Sequence, residues 1–579
     1  FKQKTAYEIY QCDWSSDVCS SDLIIIIVGT LDWVVIGIFF LALIGIIVWV
    51  VKQKQNDSAD YFLGGRDATW LAIGASIFAS NIGSEHLIGL AGAGASSGMA
   101  MAHWEIQGWM ILILGWVFVP FYSRSMVYTM PEFLERRYNP QSRTILSVIS
   151  LISYVLTKVA VTVYAGGLVF QQVFGIKELW GIDFFWIAAI GLVVLTALYT
   201  IFGGMKSVLY TSVLQTPILL LGSLIILVLG FKELGGWDEM MSICSAVTVN
   251  EYGDTMTQLI RDNNDPNFPW LGALVGSAII GFWYWCTDQF IVQRVLSGKN
   301  EKEARRGTIF GAYLKLLPVF LFLIPGMIAF ALHQKYIGAG GEGFLPLLAN
   351  GTANADAAFP TLVAKLLPAG VKGLVVCGIL AALMSSLASL FNSSAMLFTI
   401  DFYKRFKPET PEKKLVGIGQ IATVVIVILG ILWIPIMRSV GDVLYTYLQD
   451  VQSVLAPGIA AAFLLGICWK RTSAKGGMWG LIAGMIIGLT RLGAKVYYSN
   501  TAITDSSMFK YLFYDLNWLF FCGWMFLFCI IVVIAVSLMT EAPSAEKIQG
   551  LVFGTSTPEQ KAATRASWNH WDIDRKSVV

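Results

Sequence analysis

The stretch 70–98, WLAIGASIFASNIGSEHLIGLAGAGASSG, decides the fold. It is apolar and long enough to cross a bilayer, for which about 20 residues are needed. Asn81, Glu85 and His86 nevertheless stand at its centre, beside Gly83, where polar groups are costly unless they face a cavity or a partner. A seam of small residues between packed helices is the alternative explanation, but it does not account for Asn81 and His86. We therefore expect a transmembrane helix with an unwound break, which lets these polar groups face inward together, as at the binding sites of secondary transporters.

The composition agrees with a membrane protein. Of 579 residues, 56% are hydrophobic and 13% charged, about half the usual charged fraction. Neither an ordinary soluble protein nor a disordered chain has this balance. Because the apolar runs are about 20 residues long rather than short and alternating, they predict an all-α polytopic membrane protein and not a barrel. The formal net charge of +2 gives no indication of a nucleic-acid partner.

About thirteen apolar spans are expected, which we number helix 0 to helix 12. They lie near 30–51, 70–98, 104–123, 144–174, 182–203, 208–231, 269–293, 308–332, 374–402, 415–437, 443–468, 476–496 and 517–540. Together they predict one transporter domain over 24–540, with a core of helices 1–10 over about 70–469. Lys and Arg concentrate in alternate loops, such as 404–414 and 470–475, and this side is expected to be cytoplasmic. The N-terminus is therefore expected outside a cell membrane (plasma or inner membrane) and the C-terminus inside.

The two ends have a different character from the spans. Residues 1–23, FKQKTAYEIYQCDWSSDVCSSDL, are polar and aperiodic, and we interpret them as a non-native, adapter-like leader. The last residues, DRKSVV, have a similar character. The polar segment 541–579 is expected to be a cytoplasmic tail.

Several other apolar runs carry polar residues. Glu105 opens one run and fits either a buried site or a watery interface, and Lys315 is expected to face inward. Lys158 is better explained by a side chain that reaches the interface. The run 281–294, GFWYWCTDQFIVQR, combines aromatic faces with hydrogen-bonding groups, which suits the apolar face and hydroxyl rim of a sugar or polyol. The tandem serines within 383–393, LMSSLASLFNS, offer the hard oxygen donors that Na⁺ prefers, although such hydroxyls also bond back to their own helix.

These strings carry a family resemblance. The chain resembles the sodium/solute symporter family, in its sodium/glucose cotransporter branch and as a bacterial homologue, over about 57–541. The matching stretches are FASNIGSEHLIGLAG (78–92), MPEFLERRY (130–138), WYWCTDQFIVQR (283–294), YLKLLP (313–318), LMSSLASLFNS (383–393) and YLQDVQ (447–452). The resemblance implies a LeuT-type core of two inverted five-helix repeats, helices 1–5 and 6–10, with extra flanking helices and with helices 1 and 6 broken. It also implies a final helix after the segment WNHWD (568–572), before which the chain is expected to be truncated.

The resemblance also implies a set of site residues. The implied substrate-binding residues are Asn81, His86, Glu105, Tyr284, Trp285, Lys315 and Gln449. The implied outer gate is Leu90, Trp104 and Tyr445, and Tyr284 is the implied inner gate. The implied sodium ligands are the backbone carbonyls of Ala79, Ile82 and Ala382 and the hydroxyls of Ser385 and Ser386.

Two departures from the family pattern affect what is expected. Ser212 stands where some relatives have an aspartate linked to a second cation, so one sodium ion per substrate is expected. Gly281 stands where the family often has Thr or Asn, which alters one substrate contact.

The expected function is sodium-coupled import of a monosaccharide of the glucose or galactose type by alternating access. Symport of myo-inositol or another solute, and a sodium-conducting sugar sensor, are the alternatives. No P-loop, zinc-protease or serine-hydrolase motif occurs in the sequence, and an enzyme is not expected. The expected partners are Na⁺, a monosaccharide or polyol and the lipid bilayer, without nucleic acid, and the oligomeric state is left open.

Overall fold

The computed structural model describes residues 28–53, 55, 57–83, 85–174, 176, 178–348, 351–440, 444–499 and 507–568. The adapter-like leader and the last residues of the tail lie outside this part of the chain. The side chains of Tyr445 and Gln449, expected at the outer gate and the substrate site, also lie outside what the structure describes.

The regular secondary structure of the described chain is almost entirely helical, and ten of its helices are long and apolar enough to cross a membrane. They are Thr30–Val51, His86–Ser125, Phe184–Leu234, Trp270–Thr287, Glu301–Gly338, Val371–Phe406, Glu412–Pro435, Val451–Cys468, Ala474–Tyr498 and Trp518–Met539. Trp70–Asn81 and Ala160–Gln171 are shorter apolar helices. A short antiparallel hairpin, Glu178–Leu179 with Ile182–Asp183, precedes the longest helix. The number of crossings, thirteen, stays a prediction.

The longest helix, Phe184–Leu234, contains two of the expected spans. The sequence predicts a connection between 203 and 208, whereas the structure has a single kinked residue, Gly204, with φ 53° and ψ −148°. A side chain at this position would be strained by the positive φ, and its Cβ would lie 2.4 Å from the carbonyl oxygen of Tyr61. The two expected spans are therefore connected by a kink at Gly204 and not by a loop.

Both helices expected to be broken are broken. The helix Trp70–Asn81 ends at Ile82, which is extended (φ −79°, ψ 107°), and a wide π-helical turn begins at Glu85. The helix Trp270–Gly281 continues through a second π-helical turn and stops at Asp288, which is also extended (φ −76°, ψ 128°). An interrupted helix leaves backbone N–H and C=O groups unpaired, so each break needs side chains or a ligand to complete its hydrogen bonding.

Helix 0 fixes the start of the helix that carries the tandem serines. Asp32 is fully buried, and one oxygen of its carboxylate accepts hydrogen bonds from the backbone N–H groups of Gly370 and Gly373, each at 2.7 Å. These N–H groups belong to the N-terminus of Val371–Met396, where the helix has unpaired donors and a positive dipole end. The Asp32 carboxylate of helix 0 thus caps the helix Val371–Met396 and fixes the start of this serine-bearing helix.

Candidate substrate and sodium site

One cavity, of ≈ 70 Å³, lies between the two broken helices. This volume is enough for several water molecules, since one needs about 10–15 Å³. The expected site residues that line it are Asn81, His86, Leu90, Trp104, Glu105, Tyr284, Trp285, Lys315 and Ser386. They come from five separate helical segments, so the fold brings together residues that are up to about 300 positions apart in the chain.

A buried ion-pair network forms one wall of the cavity. The Lys315 Nζ lies 2.6 Å from Glu105 Oε2 and 2.9 Å from His86 Nε2, and His86 Nε2 lies 3.3 Å from Glu105 Oε1. Glu105 is 1% exposed and Lys315 3% exposed. The interfacial explanation of Glu105 is therefore wrong, and Lys315 faces inward as expected. Charges this deeply buried are tolerated only when they are paired and hydrogen-bonded, as they are here.

The two helix breaks are joined by a hydrogen bond. The Asn81 side-chain amide donates to the Tyr284 hydroxyl at 3.1 Å, so the end of Trp70–Asn81 touches the π-helical turn before Asp288. The other amide atom, Asn81 Oδ1, and the His86 Nδ1 are buried, and neither has a hydrogen-bond partner among the described residues. Buried polar atoms are normally paired, so these two atoms are available to a bound molecule.

A second ion pair lies beside the first, and the sequence did not indicate it. Lys158 is 8% exposed and places its Nζ 2.5 Å from Asp288 Oδ2, while the Tyr154 hydroxyl donates to the other oxygen of this carboxylate. The Lys158 ammonium also lies 4.8 Å from the centre of the Tyr284 ring. The expectation that Lys158 reaches the interface is therefore wrong. Since its partner is an acid at the break of another helix, no local pattern around Lys158 reveals the pair.

Further residues of the cavity wall were not expected from the sequence. They are Ser80, Gln107, Thr162, Ile280, Phe290, Leu390 and Gln452, together with Lys158. Each belongs to a helix that also carries an expected site residue or packs against one. Helical spacing from a known site residue is therefore the signal that would have found several of them.

Oxygen atoms converge where the sodium ligands are expected. The Ser386 hydroxyl donates to the carbonyl of Ser80 at 2.8 Å and lies 3.4 Å from the carbonyl of Ile82 at the helix break. Ser385 and Ala382 are buried on the same helix. Hydroxyl and carbonyl oxygens are the hard donors that an alkali cation prefers, so this set fits Na⁺. The carbonyl that Ser386 contacts is that of Ser80 and not that of Ala79, whose place in the ligand set stays a prediction.

A fixed positive charge lies next to these oxygens. Arg294 is 1% exposed, and its Nη2 donates to the Ser80 hydroxyl at 2.7 Å, while its Nε lies 3.2 Å from the Ser76 hydroxyl. The Ser212 hydroxyl in turn lies 3.4 Å from that of Ser76 and 3.3 Å from that of Ser385. Ser76, Ser80, Ser212 and Ser385 therefore form a cluster of hydroxyl groups, and the Arg294 guanidinium lies at one end of it.

The expected outer gate is described in part. Leu90 is buried, and the Trp104 ring packs edge-on against Trp518 with 5.6 Å between centroids. Trp518 begins a helix that is not part of the expected ten-helix core.

A sequence model of the Sodium:solute symporter family matches residues 61–484. The chain belongs to this family. The membership, with the ten apolar helices, makes it a multi-pass membrane protein.

Curated relatives include two kinds of cotransporter. Sodium/myo-inositol cotransporter 2 of Homo sapiens is 37% identical over 538 residues, covering 90% of this chain and 79% of the relative. Sodium/glucose cotransporter 4 of Mus musculus is 36% identical (94% of this chain, 81% of the relative), and sodium/glucose cotransporter 1 of Ovis aries is 37% identical (88% and 79%). These relatives are cotransporters and not enzymes, in agreement with the expectation from the motifs.

A solved structure shows the same fold. A Na⁺-coupled sialic acid symporter, in a substrate-bound outward-open state, matches with a TM-score of 0.72 at 22% sequence identity, covering 89% of this chain and 99% of the other. The LeuT-type architecture expected from the motifs is thereby confirmed.

Proposed function

We propose that this protein imports a neutral monosaccharide or cyclic polyol together with Na⁺ across a cell membrane, with its N-terminus outside. A glucose- or galactose-like sugar is the first candidate. Myo-inositol is the second, because cotransporters of both kinds are similar to this chain at 36–37% identity. The observation that carries the proposal is the convergence of Asn81, His86, Glu105 and Lys315 on one cavity beside the oxygens of Ser386 and Ile82.

The charges around the cavity favour an uncharged guest. Glu105 and Lys315 neutralise each other at 2.6 Å, and Lys158 and Asp288 do the same at 2.5 Å. A charged substrate would have to break one of these pairs, which is costly at this depth. A polyhydroxylated molecule can instead donate to Asn81 Oδ1 and accept from the network without removing any partner.

The expected cation site and the cavity for the guest are formed by two consecutive residues, Asn81 and Ile82. Ile82, whose carbonyl lies beside Ser386, directly follows Asn81, whose side chain reaches Tyr284. A sodium ion that draws the Ile82 carbonyl toward Ser386 fixes the break and therefore orients Asn81 in the cavity. Each ligand then binds more tightly when the other is present, which is the coupling that symport requires.

The expected stoichiometry is one sodium ion per guest. Ser212 supplies no negative charge for a second cation, and its hydroxyl lies within 3.4 Å of the hydroxyls of Ser76 and Ser385. One charge moving through about 100 mV releases ~2.3 kcal/mol. An about tenfold sodium gradient adds ~1.4 kcal/mol, and the sum supports roughly 500-fold accumulation of the guest.

Uptake into proteoliposomes tests the function. An inward sodium gradient should drive accumulation of labelled glucose, galactose, mannose or myo-inositol, and potassium on both faces should abolish it. The reversal potential in the same vesicles should give a ratio of one. Equal accumulation in potassium would contradict sodium coupling, a ratio of two would contradict the role given to Ser212, and a current without accumulation would indicate a sugar sensor.

Replacing Ser386 by Ala should raise the sodium concentration for half-maximal uptake about tenfold, the effect of losing one hydroxyl contact. The maximal rate at saturating sodium should change little. Ser394→Ala is the matched control, because Ser394 lies on the same helix, is fully buried and has a hydroxyl without a hydrogen-bond partner among the described residues. An unchanged sodium dependence in Ser386→Ala would remove Ser386 from the ion site.

A further inference from the structure

Gln107 is a buried cavity residue with an unused acceptor. It begins a 3-10 turn, Gln107–Trp109, two positions after Glu105, and it lines the cavity while being only 7% exposed. Its Oε1 is buried and has no hydrogen-bond partner among the described residues. A buried carbonyl oxygen without a donor is unfavourable, so a native structure keeps one chiefly where a ligand or water completes it.

Gly281 makes the position of this side chain possible. A Cβ built on Gly281 would lie 2.7 Å from Gln107 Oε1 and 3.4 Å from Gln107 Cβ. The backbone of Gly281 is ordinary right-handed helix (φ −61°, ψ −40°), which any residue adopts. Glycine is therefore not needed for the backbone conformation. Its contribution is the missing side chain, whose volume the Gln107 carboxamide fills.

The acceptor nearest to Gln107 along the chain, the Glu105 carboxylate, is already engaged. Glu105 lies within 3.3 Å of both Lys315 and His86, so its two oxygens have cationic or ring-nitrogen neighbours. Gln107 Oε1 has none, although it lies on the same helical segment and faces the same cavity. Gln107 Oε1 is thus placed to accept a hydrogen bond from a hydroxyl group of the guest that Glu105 does not contact.

We propose that Gln107 is a specificity-determining residue: its carboxamide, which occupies the space left by Gly281, accepts through Oε1 a hydrogen bond from one hydroxyl of the transported sugar or polyol. This assignment rests on the proposed function. A hydroxyl at that position, in the stereochemistry that reaches Oε1, selects among isomers that fit the same cavity. A site built to hydrogen-bond a hydroxyl rejects the analogue that lacks it, because its own polar group is then left unpaired.

The test compares the wild type with Gln107→Leu, which keeps the approximate size of the side chain and removes the acceptor. Sodium-driven uptake is measured for the best substrate and for its monodeoxy analogues, each lacking one hydroxyl. In the wild type, the analogue that lacks the hydroxyl bound by Gln107 should have a KM about 2- to 12-fold higher than the other analogues have. This factor is the effect of losing one neutral hydrogen bond. Gln107→Leu should raise the KM of the parent substrate by the same factor and no longer discriminate against that one analogue.

The glycine gives a second, independent variant. Gly281→Ala should displace the carboxamide and reproduce the loss of discrimination. Added to Gln107→Ala it should have a smaller effect, because the oxygen at 2.7 Å is then absent and the nearest atom is Met110 Cγ at 3.2 Å. Gln171→Leu is the control for loss of a carboxamide: Gln171 bonds Asp183 at 2.9 Å outside the cavity, and its KM pattern should be that of the wild type.

Two results would overturn the assignment. If Gln107→Leu leaves every KM unchanged, or raises the KM of all analogues by one common factor, Gln107 is a packing residue and the proposed function stands without it. If the wild type accumulates no sugar or polyol in a sodium gradient, the proposed function fails and this assignment fails with it.

Discussion

Glu105→Gln should reduce sodium-driven uptake by more than about 100-fold, because it removes a carboxylate that balances the charge of a buried ammonium. Lys315 is 3% exposed and lies 2.6 Å from the Glu105 carboxylate. Removing one member of a buried ion pair costs about 3–5 kcal/mol, and 3 kcal/mol already corresponds to more than about 100-fold. Initial uptake rates and the thermal unfolding midpoint of the purified variant measure the two parts of this effect.

A second variant separates charge from recognition. Glu105→Gln combined with Lys315→Met removes both charges, so the unfolding midpoint should return most of the way to that of the wild type. Uptake should stay low, since two polar groups of the cavity are missing. Glu239→Gln is the control, because its pair with Lys335 is half exposed and 3.7 Å long, and such pairs contribute little. Normal uptake by Glu105→Gln would show that the substrate binds elsewhere.

The broken first helix shows what the sequence could predict. Asn81 and His86 occur inside an apolar run. The free-energy cost of placing such polar groups in lipid is evident from the local sequence alone. The break follows, and the structure has it at Ile82. The identity of the groups that meet at the break required more. Glu105 and Lys315 lie in other helices, and only the family resemblance placed them together before the structure did.

Lys158 shows where such reasoning fails. A lysine within an apolar run can reach the interface or pair with a buried acid, and the difference in free energy depends on a partner 130 positions away in the chain. The short string around Lys158 contains no information on that partner. Gln107 is a similar case, since its importance depends on the missing side chain of Gly281, which belongs to another helix.

Asp288→Asn is expected to have an effect as large as Glu105→Gln, with a different signature. The Asp288 carboxylate holds Lys158 at 2.5 Å, accepts from Tyr154 and caps Gln289–Leu296 through the N–H of Phe290 at 3.1 Å. Its neutralisation removes the carboxylate that balances the charge of the buried Lys158 ammonium, which should lower uptake by more than about 100-fold. Lys158→Met should be similarly harmful, and the double variant less harmful than the two single effects combined, because the shared pair is lost only once.

The signature that separates this pair from Glu105 is the dependence on sodium. The helix that Asp288 caps carries Arg294, whose guanidinium contacts Ser80 beside the expected ion ligands. A shifted helix should therefore raise the sodium concentration for half-maximal residual uptake, measured at a guest concentration that saturates each variant. None of the contacts described for the Glu105 network reaches an expected ion ligand, so under the same condition Glu105→Gln should leave this concentration unchanged. Asp515→Asn, whose pair with Lys510 is partly exposed, is the control and should behave as wild type. If Asp288→Asn lowers uptake but leaves the sodium dependence unaltered, the helix break at Asp288 affects binding of the guest and not of sodium. Sodium would then depend only on the break at Ile82.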